Sequence, residues 1–322
     1  MSECKINSTQ TKESFYEQLD ALYEKGDSAE IEAFLHRQRN MNQPCCGGFS
    51  PVALAVVNEL GTFYRNTGRF DAAVETFEYV AGMTGAHLGE QSLEHATTLN
   101  NLAGAYRLKG DTQKALETFR DALRVCEAAA GKENDLYASA LNNLALLYFE
   151  TGELEKAASL LEEALSISKK NGAQKEDVAT ACSNLASVYQ KLRNEQKAEA
   201  YLNESLQLFE EAGQYDTHYA SALGSLAIFH INRGEYPQAI EAYEKAAEIM
   251  KKYAPASAEY AVLCQNLAYT YSQAGDYRQA ADLMKEALCL IKKIYGDNAE
   301  KTLSAQKLLD AYLQKNKEAD NC

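Results

Sequence analysis

The 322-residue sequence contains no tryptophan, only four prolines and no long hydrophobic run near its start. The longest early apolar run, residues 52–57, falls far short of the roughly 20 residues that a membrane-spanning helix needs. The first eleven residues are polar and do not resemble a targeting signal, so we expect a cytoplasmic protein that does not bind membranes. The scarcity of proline, together with abundant Ala, Leu, Glu, Lys, Gln and Asn, is typical of a helical protein.

Basic residues are also scarce: 32 Lys and Arg stand against 46 Asp and Glu, which gives a formal net charge of −14. A surface of that sign repels phosphate backbones, so we expect no nucleic-acid partner. The eight cysteines show no close-set disulfide framework. The adjacent pair Cys45-Cys46 cannot form a four-ligand zinc site alone, and adjacent cysteines rarely form an unstrained disulfide. The role of this pair stays open, and we expect no bound metal or cofactor.

What the sequence does contain is an internal repeat of 41 or 42 residues. Its anchor is a leucine, present as Leu60, Leu102, Leu144, Leu185, Leu226, Leu267 and Leu308. Sequence repeats of this length indicate stacked supersecondary units in which each unit completes the core of its neighbour.

Three offsets from this leucine indicate how each unit folds. A tyrosine or histidine follows four residues later, on the same helix face as the leucine. Eight residues after the leucine comes a glycine, replaced once by Arg193, where a helix C-cap needs positive φ. Thirteen residues after it, an alanine stands in all six full repeats, which suits a close approach of two helices. Each unit is therefore predicted to be a helix A, a tight turn and a helix B.

This order of residues resembles the tetratricopeptide repeat (TPR) family, and the resemblance covers roughly residues 52–313. The long units, with their Leu-Asn-Asn-Leu-Ala phrase at residues 99–103 and 141–145, look most like the repeats of kinesin light chains and related bacterial proteins. The resemblance implies an all-α, right-handed α-solenoid of stacked antiparallel helix pairs, with the A helices lining a concave groove.

The ends of the chain read as caps. We expect a disordered tail over residues 1–12, a degenerate capping helix pair and loop over 13–50, and six TPR units over 51–298. A capping helix over 299–316 and a disordered tail over 317–322 complete the prediction. Solenoids need polar terminal elements of this kind to stay soluble.

The predicted groove carries polar amides and a few apolar side chains. At about 100° per residue, the residue before the repeat leucine and the residue two after it face away from the core. The first position holds Asn101, Asn143, Asn184, Ser225 and Asn266, and the second holds Leu146, Ile228 and Tyr269. A primary amide complements a peptide backbone, and in the light-chain-like relatives asparagines at this position contact bound peptide. The alternative is that these amides only tie adjacent helices together.

Five residues after the leucine, Arg65 and Arg107 could each meet an acidic side chain of a ligand. We therefore expect a monomeric, non-catalytic scaffold or adaptor that binds a protein or peptide. No phosphate loop, nucleophile elbow or zinc-helix motif favours an enzyme. Two alternatives remain, a sensor of a signalling peptide that regulates an effector, and an accessory subunit of an enzyme encoded elsewhere.

Overall fold

The computed structural model describes residues 11–42 and 50–320, and within them it contains fifteen α-helices and no strand. The predicted N-terminal tail up to residue 10, the loop 43–49 with Cys45 and Cys46, and residues 321–322 lie outside the described residues. The helices are α1 Lys12–Lys25, α2 Ser28–Met41, α3 Pro51–Asn66, α4 Phe70–Leu88, α5 Leu93–Lys109, α6 Thr112–Ala130, α7 Asp135–Glu150, α8 Leu154–Lys170, α9 Lys175–Lys191, α10 Glu195–Ala212, α11 Thr217–Asn232, α12 Tyr236–Tyr253, α13 Ala258–Gln273, α14 Tyr277–Tyr295 and α15 Glu300–Asp320.

The chain divides into two compact units, Met1–Ile167 (unit 1) and Ser168–Cys322 (unit 2). In unit 1, Val125, Tyr137, Leu141 and Ile167 belong to one buried cluster built from successive helices. In unit 2, a buried cluster extends from Ala179 on α9 through every following helix to Tyr312 on α15. Each unit therefore contains a buried apolar cluster that spans several successive helices.

Capping side chains start the first helix of most repeats. The Ser92 and Ser257 hydroxyls accept hydrogen bonds from backbone N–H groups three residues ahead, at 3.2 and 3.0 Å. The Asn134 side chain accepts in the same way from Tyr137 at 2.9 Å. Such caps satisfy backbone donors that have no partner inside the helix, which explains where these helices begin.

The turn between the two helices of a repeat needs a left-handed backbone. Gly110 and Gly152, for example, have φ of 89° and 83°. Arg193 takes the same turn with φ of 57° and is the one non-glycine residue with positive φ among residues 11–42 and 50–320. The geometry of the turn is thus kept even where its glycine is replaced.

The repeated alanine lies where predicted, at the contact of the two helices. Ala73, Ala115, Ala157, Ala198, Ala239 and Ala280 are all completely buried. In the first repeat even the residue after the anchoring leucine is small, because a Cβ on Gly61 would lie 2.8 Å from the Phe77 ring. These contacts leave no space for larger side chains.

In the described part of the chain, two helices precede the first repeat and one follows the last. At the N-terminus, α1 and α2 precede the first repeat, and α1 begins at Lys12 with the Thr11 side chain as its cap. At the C-terminus, α15 continues to Asp320, four residues beyond the predicted end of the last helix. The Gln314 side chain donates to Glu318 at 3.0 Å along this extension, which supports one more helical turn.

Candidate functional site on the odd-numbered helices

The odd-numbered helices are neighbours within each unit. In unit 1, α3 lies beside α5 and α5 beside α7, and in unit 2, α9 lies beside α11. The surface that these helices turn away from the core is called here the A-helix face. The residue before the repeat leucine is half-buried on this face in all six repeats, from Glu59 to Asn266.

Two of the predicted groove residues link adjacent odd-numbered helices. The Asn143 side chain on α7 donates to the Asn100 side-chain oxygen on α5 at 3.2 Å. The Ser225 hydroxyl on α11 lies 3.3 Å from the Ser187 hydroxyl on α9, and its carbonyl accepts from Gln190 at 2.9 Å. For Asn143 and Ser225 the tie between helices, the alternative raised from the sequence, is therefore present.

The other predicted asparagines differ in their surroundings. Asn101, on α5, lines a cavity beside α1 and α3. Asn184 is half-buried on α9. Asn266, on α13, is within hydrogen-bonding reach of Tyr243, where burial raises the pKa of the phenol to about 12 and the bond with Asn266 opposes that rise. The amides at this repeat position therefore differ in the residues and spaces that they contact.

The two arginines predicted for the groove, Arg65 and Arg107, differ in their pairing. The Arg107 guanidinium donates to the Glu150 carboxylate and is only 16% exposed. Arg65 is half-buried as well, but among the described residues it forms no ion pair. Burial lowers the pKa of Arg65, the charge of Arg107 lowers it further, and Glu59 acts in the opposite direction. A half-buried cation without an anion is costly unless something neutralises it.

Gly104 lies against the Arg65 guanidinium. A Cβ at this glycine on α5 would lie 4.0 Å from Arg65 Nη1. The guanidinium therefore contacts α5 in the one repeat whose residue two after the leucine has no side chain. The equivalent residues are larger in the neighbouring repeats, Thr62 on α3 and Leu146 on α7. The space that the Arg65 guanidinium occupies against α5 is therefore set by a single residue.

The predicted apolar residues are more exposed in unit 2 than in unit 1. Leu146 on α7 is half-buried, whereas Ile228 on α11 is 41% and Tyr269 on α13 is 49% exposed. Val262 lies on the same face of α13 as Tyr269 and is 53% exposed, but it is not among the predicted site residues. Its position five residues before the leucine is the signal that could have identified it.

A cavity of about 520 Å³ in unit 1 was not predicted. It lies between α1, α3, the end of α4 and the start of α5, and its lining includes Tyr16, Asn58 and Glu59. The Oδ1 atom of Asn58 is buried and has no hydrogen-bond partner in the described part of the chain. Because α1 lies outside the regular repeats, their spacing does not place Tyr16 against α3.

The helical cysteines are mainly apolar packing residues. Cys126, Cys182 and Cys264 are buried, and burial raises the pKa of Cys182 to about 12 and that of Cys264 to about 11. Within residues 11–42 and 50–320, no group of three or more His, Cys, Asp or Glu side chains could hold a metal ion. In the same residues, every helix is too short or too polar to span a membrane.

Known structures resemble this chain. It is 26% identical to BtubC (BKLC) from P. vanneervenii, with a TM-score of 0.53, over 73% of this chain and 93% of that one. A tetratricopeptide repeat protein from Parabacteroides merdae is 19% identical with a TM-score of 0.56, over 94% of this chain and 98% of that one. A putative kinesin light chain from Podosopora anserina is 19% identical with a TM-score of 0.40, over 77% of this chain and 99% of that one. No curated protein sequence was found to match.

The repeat itself matches a known family over most of the chain. The family described as tetratricopeptide repeat matches residues 55–83 and the overlapping ranges 94–170, 137–211, 177–252 and 218–293. The resemblance predicted from the leucine, glycine and alanine spacing is thereby confirmed, as is the all-α fold of stacked helix pairs. The chain belongs to the tetratricopeptide repeat family.

Proposed function

We propose that this protein is a non-catalytic scaffold or adaptor that binds a peptide segment of a partner protein on its A-helix face. Members of the family generally act as scaffolds for protein interactions. The proposal goes further, because it assigns the binding to particular residues: Asn101, Asn143, Asn184, Ser225 and Asn266 for the peptide backbone, Leu146, Ile228 and Tyr269 for apolar side chains, and Arg65 and Arg107 for acidic groups.

The observation that carries this proposal is the unpaired Arg65. Its guanidinium is half-buried, feels the charge of a second arginine and forms no ion pair within the described residues, although the charge of Glu59 on the same helix partly offsets these effects. Such an arrangement favours a carboxylate from outside the chain, because a guanidinium presents parallel N–H donors that match the two oxygens of a carboxylate. Desolvation strengthens each of these hydrogen bonds relative to the same bonds in water.

The overall charge of the chain makes this local feature more informative. A protein with a net charge of −14 repels an acidic ligand at long range. An acidic peptide that nevertheless binds must gain binding free energy from short-range contacts. On the A-helix face of unit 1, the Arg65 guanidinium is available to make such contacts. Arg107 is engaged with Glu150, so it contributes mainly positive potential.

The proposal is tested by selecting ligands from a displayed library of random peptides on the purified full-length chain. We expect the selected peptides to be enriched in Asp and Glu, and their binding to fall about tenfold in Arg65→Gln, which is the effect of losing one charge-assisted pair. The matched control is Arg124→Gln, since Arg124 is an exposed arginine on α6 that pairs with Asp121 at 3.0 Å. Selected peptides that lack acidic residues, or that bind Arg65→Gln as well as the unmodified protein, would contradict the proposal.

A further inference from the structure

The cavity in unit 1 combines buried acceptors with an apolar wall. It lies beside the first repeat, where α1 packs against α3, and its volume is about 520 Å³. Asn101 lines it, and so do Glu59 and Thr62, which occupy the two groove-facing positions of the first repeat. The remaining lining comes from α1, α3 and the helix ends of α4 and α5.

One acceptor beneath the cavity wall lacks a hydrogen-bond donor, and the carboxylate that lines the cavity lacks a counterion. Asn58 Oδ1 is buried and has no hydrogen-bond partner in the described part of the chain. The neighbouring Glu59 is half-buried and forms no ion pair with any described residue. An unsatisfied buried acceptor costs about 1–3 kcal/mol, and an unpaired buried charge costs more.

The environment of Glu59 disfavours its charge. Burial raises the pKa of the Glu59 carboxyl, and the negative charge of Asp20 raises it further. A hydrogen bond with Tyr16 and the charge of Arg65 oppose these effects. A cation placed in the cavity would offset the cost of burying the negative charge, because it would neutralise the Glu59 carboxylate where water is partly excluded.

The wall of the cavity is suited to an aliphatic stem. Leu54 and Ala55 on α3 and Leu88 at the end of α4 all line it, as does the Tyr16 ring. Lysine and arginine side chains bury their methylene stems against apolar surface of this kind while their charged ends meet polar groups. An aromatic ring beside the stem adds a favourable contact with a cation.

Among residues 11–42 and 50–320, no cation pairs with the carboxylate of this site. The Lys12 ammonium, at the rim, lies over the Tyr16 ring at 5.9 Å from its centroid, and it does not pair with Glu59. The net charge of −14 draws cations toward the protein. Both the local acceptors and the long-range field therefore favour a positively charged group from a ligand.

We propose that this cavity binds an aliphatic cation, a primary ammonium or a guanidinium, carried by the same ligand whose acidic group meets Arg65. The N–H groups of the cation donate to the Glu59 carboxylate, and its stem lies along Leu54 and Leu88. This inference rests on the proposed function for the carrier of the cation, whereas the cavity itself requires only the cation.

The two charged sites also specify a spacing. Six residues separate Glu59 from Arg65 on α3, a rise of about 9 Å along the helix. An extended peptide covers that distance in about three residues. The ligand of unit 1 is therefore a segment with a basic and an acidic side chain about three residues apart.

The test uses small probes on the full-length, ¹⁵N-labelled protein. Butylammonium and butylguanidinium represent the side chains of lysine and arginine, and 1-butanol is their uncharged counterpart. We expect at least one cation to bind at least tenfold more tightly than butanol and to shift the side-chain amide resonances of Asn58. The cation with the higher affinity identifies which of the two side chains the cavity prefers.

Three variants assign the binding to the cavity. Glu59→Gln keeps the shape of the side chain and should weaken binding of the cation about tenfold. Asn58→Asp adds a second carboxylate and should strengthen it several-fold. Glu75→Gln, the same change at an exposed carboxylate of α4 that does not line the cavity, is the matched control and should alter the affinity less than twofold. Thermal unfolding of each variant establishes that it is folded.

Equal affinity for butanol and both cations would overturn this inference, as would a folded Glu59→Gln variant that binds the cations undiminished. Its failure is distinguishable from failure of the proposed function. If the cations do not bind while acidic peptides still depend on Arg65, only the cavity assignment is wrong. If the cations bind in the cavity and no peptide depends on Arg65, the cavity assignment stands and the peptide-binding proposal falls.

Discussion

The A-helix faces of the two units differ although their repeats share one plan. In unit 1 the face carries the unpaired Arg65, the Arg107–Glu150 pair and the cavity around Glu59. In unit 2 the corresponding helices expose Ile228 and Tyr269 instead. The difference shows that the repeat constrains the residues between the helices and leaves the face free to acquire separate chemistries, charged in one unit and apolar in the other.

The largest expected effect tests what the two units have in common. Ala115→Leu in unit 1 and Ala239→Leu in unit 2 should each lower the free energy of unfolding by about 1–3 kcal/mol, because both alanines are completely buried between helices. Urea unfolding followed by circular dichroism measures this. Ala129→Leu, at an exposed position of α6, is the control and should stay within about 0.5 kcal/mol. A neutral result in one unit alone would mean that the two cores are not built alike.

The second prediction separates the two faces by their ligands. Arg65→Gln should weaken acidic peptides about tenfold, or about 1.4 kcal/mol, and Tyr269→Ala should change their affinity less than twofold. Apolar peptides selected on the same protein should show the reverse pattern. Fluorescence anisotropy with both kinds of peptide on both variants gives the four affinities. Equal sensitivity of one peptide to both substitutions would remove the distinction between the faces.

The third prediction separates structural amides from those available to a ligand. Asn143→Ala should lower the free energy of unfolding by about 1 kcal/mol, since it removes the donor for the Asn100 side-chain oxygen, and Asn100 is only 5% exposed. Asn101→Ala, at the equivalent position of the preceding repeat, should cost less than half as much. Thermal or urea unfolding of the two variants compares them directly, and an equal loss would indicate that both asparagines have the same structural role.

The smallest expected effect concerns the turns. Arg193→Gly in unit 2 should raise the free energy of unfolding by about 0.5–1 kcal/mol, because a residue with a Cβ is strained at φ of 57°. Gly152→Arg, in the equivalent turn of unit 1, should lower it by a similar amount. If Arg193→Gly is destabilising, then the arginine side chain makes a contact that outweighs the backbone strain.

The sequence predicts the regular part of this fold well, because the information is local and repeated. The spacing of Leu, Gly and Ala predicts the helix pairs, and even the turn at Arg193 follows from the pattern of its neighbours. The predicted end of the last helix at residue 316 is too early, because the helix continues to Asp320. The Lys, Glu and Ala residues after 316 favour helix.

The candidate site is harder to predict than the fold. The face positions of Arg65 and Tyr269 follow from helical periodicity. Whether Arg65 is paired does not, because that depends on the side chains of neighbouring helices and on the missing side chain at Gly104. The contact between Asn143 and Asn100 depends likewise on the register of α5 against α7. The cavity beside Tyr16 requires the docking of α1, which no repeat determines.

Gly104 permits the most direct test of the central claim, that the accessible Arg65 guanidinium binds an acidic group of the ligand. Gly104→Leu introduces the side chain that Leu146 provides in the next repeat, and it should cover the Arg65 guanidinium without altering any charge. Gly104→Ala adds only a Cβ, at an ordinary contact distance, and should leave the guanidinium available to a ligand. Titration calorimetry with an acidic peptide selected on the unmodified protein compares both variants with Arg65→Gln. The account predicts that Gly104→Leu and Arg65→Gln each weaken the peptide about tenfold, and that Gly104→Ala binds it within twofold of the unmodified protein. Undiminished binding by folded Gly104→Leu and Arg65→Gln would contradict it.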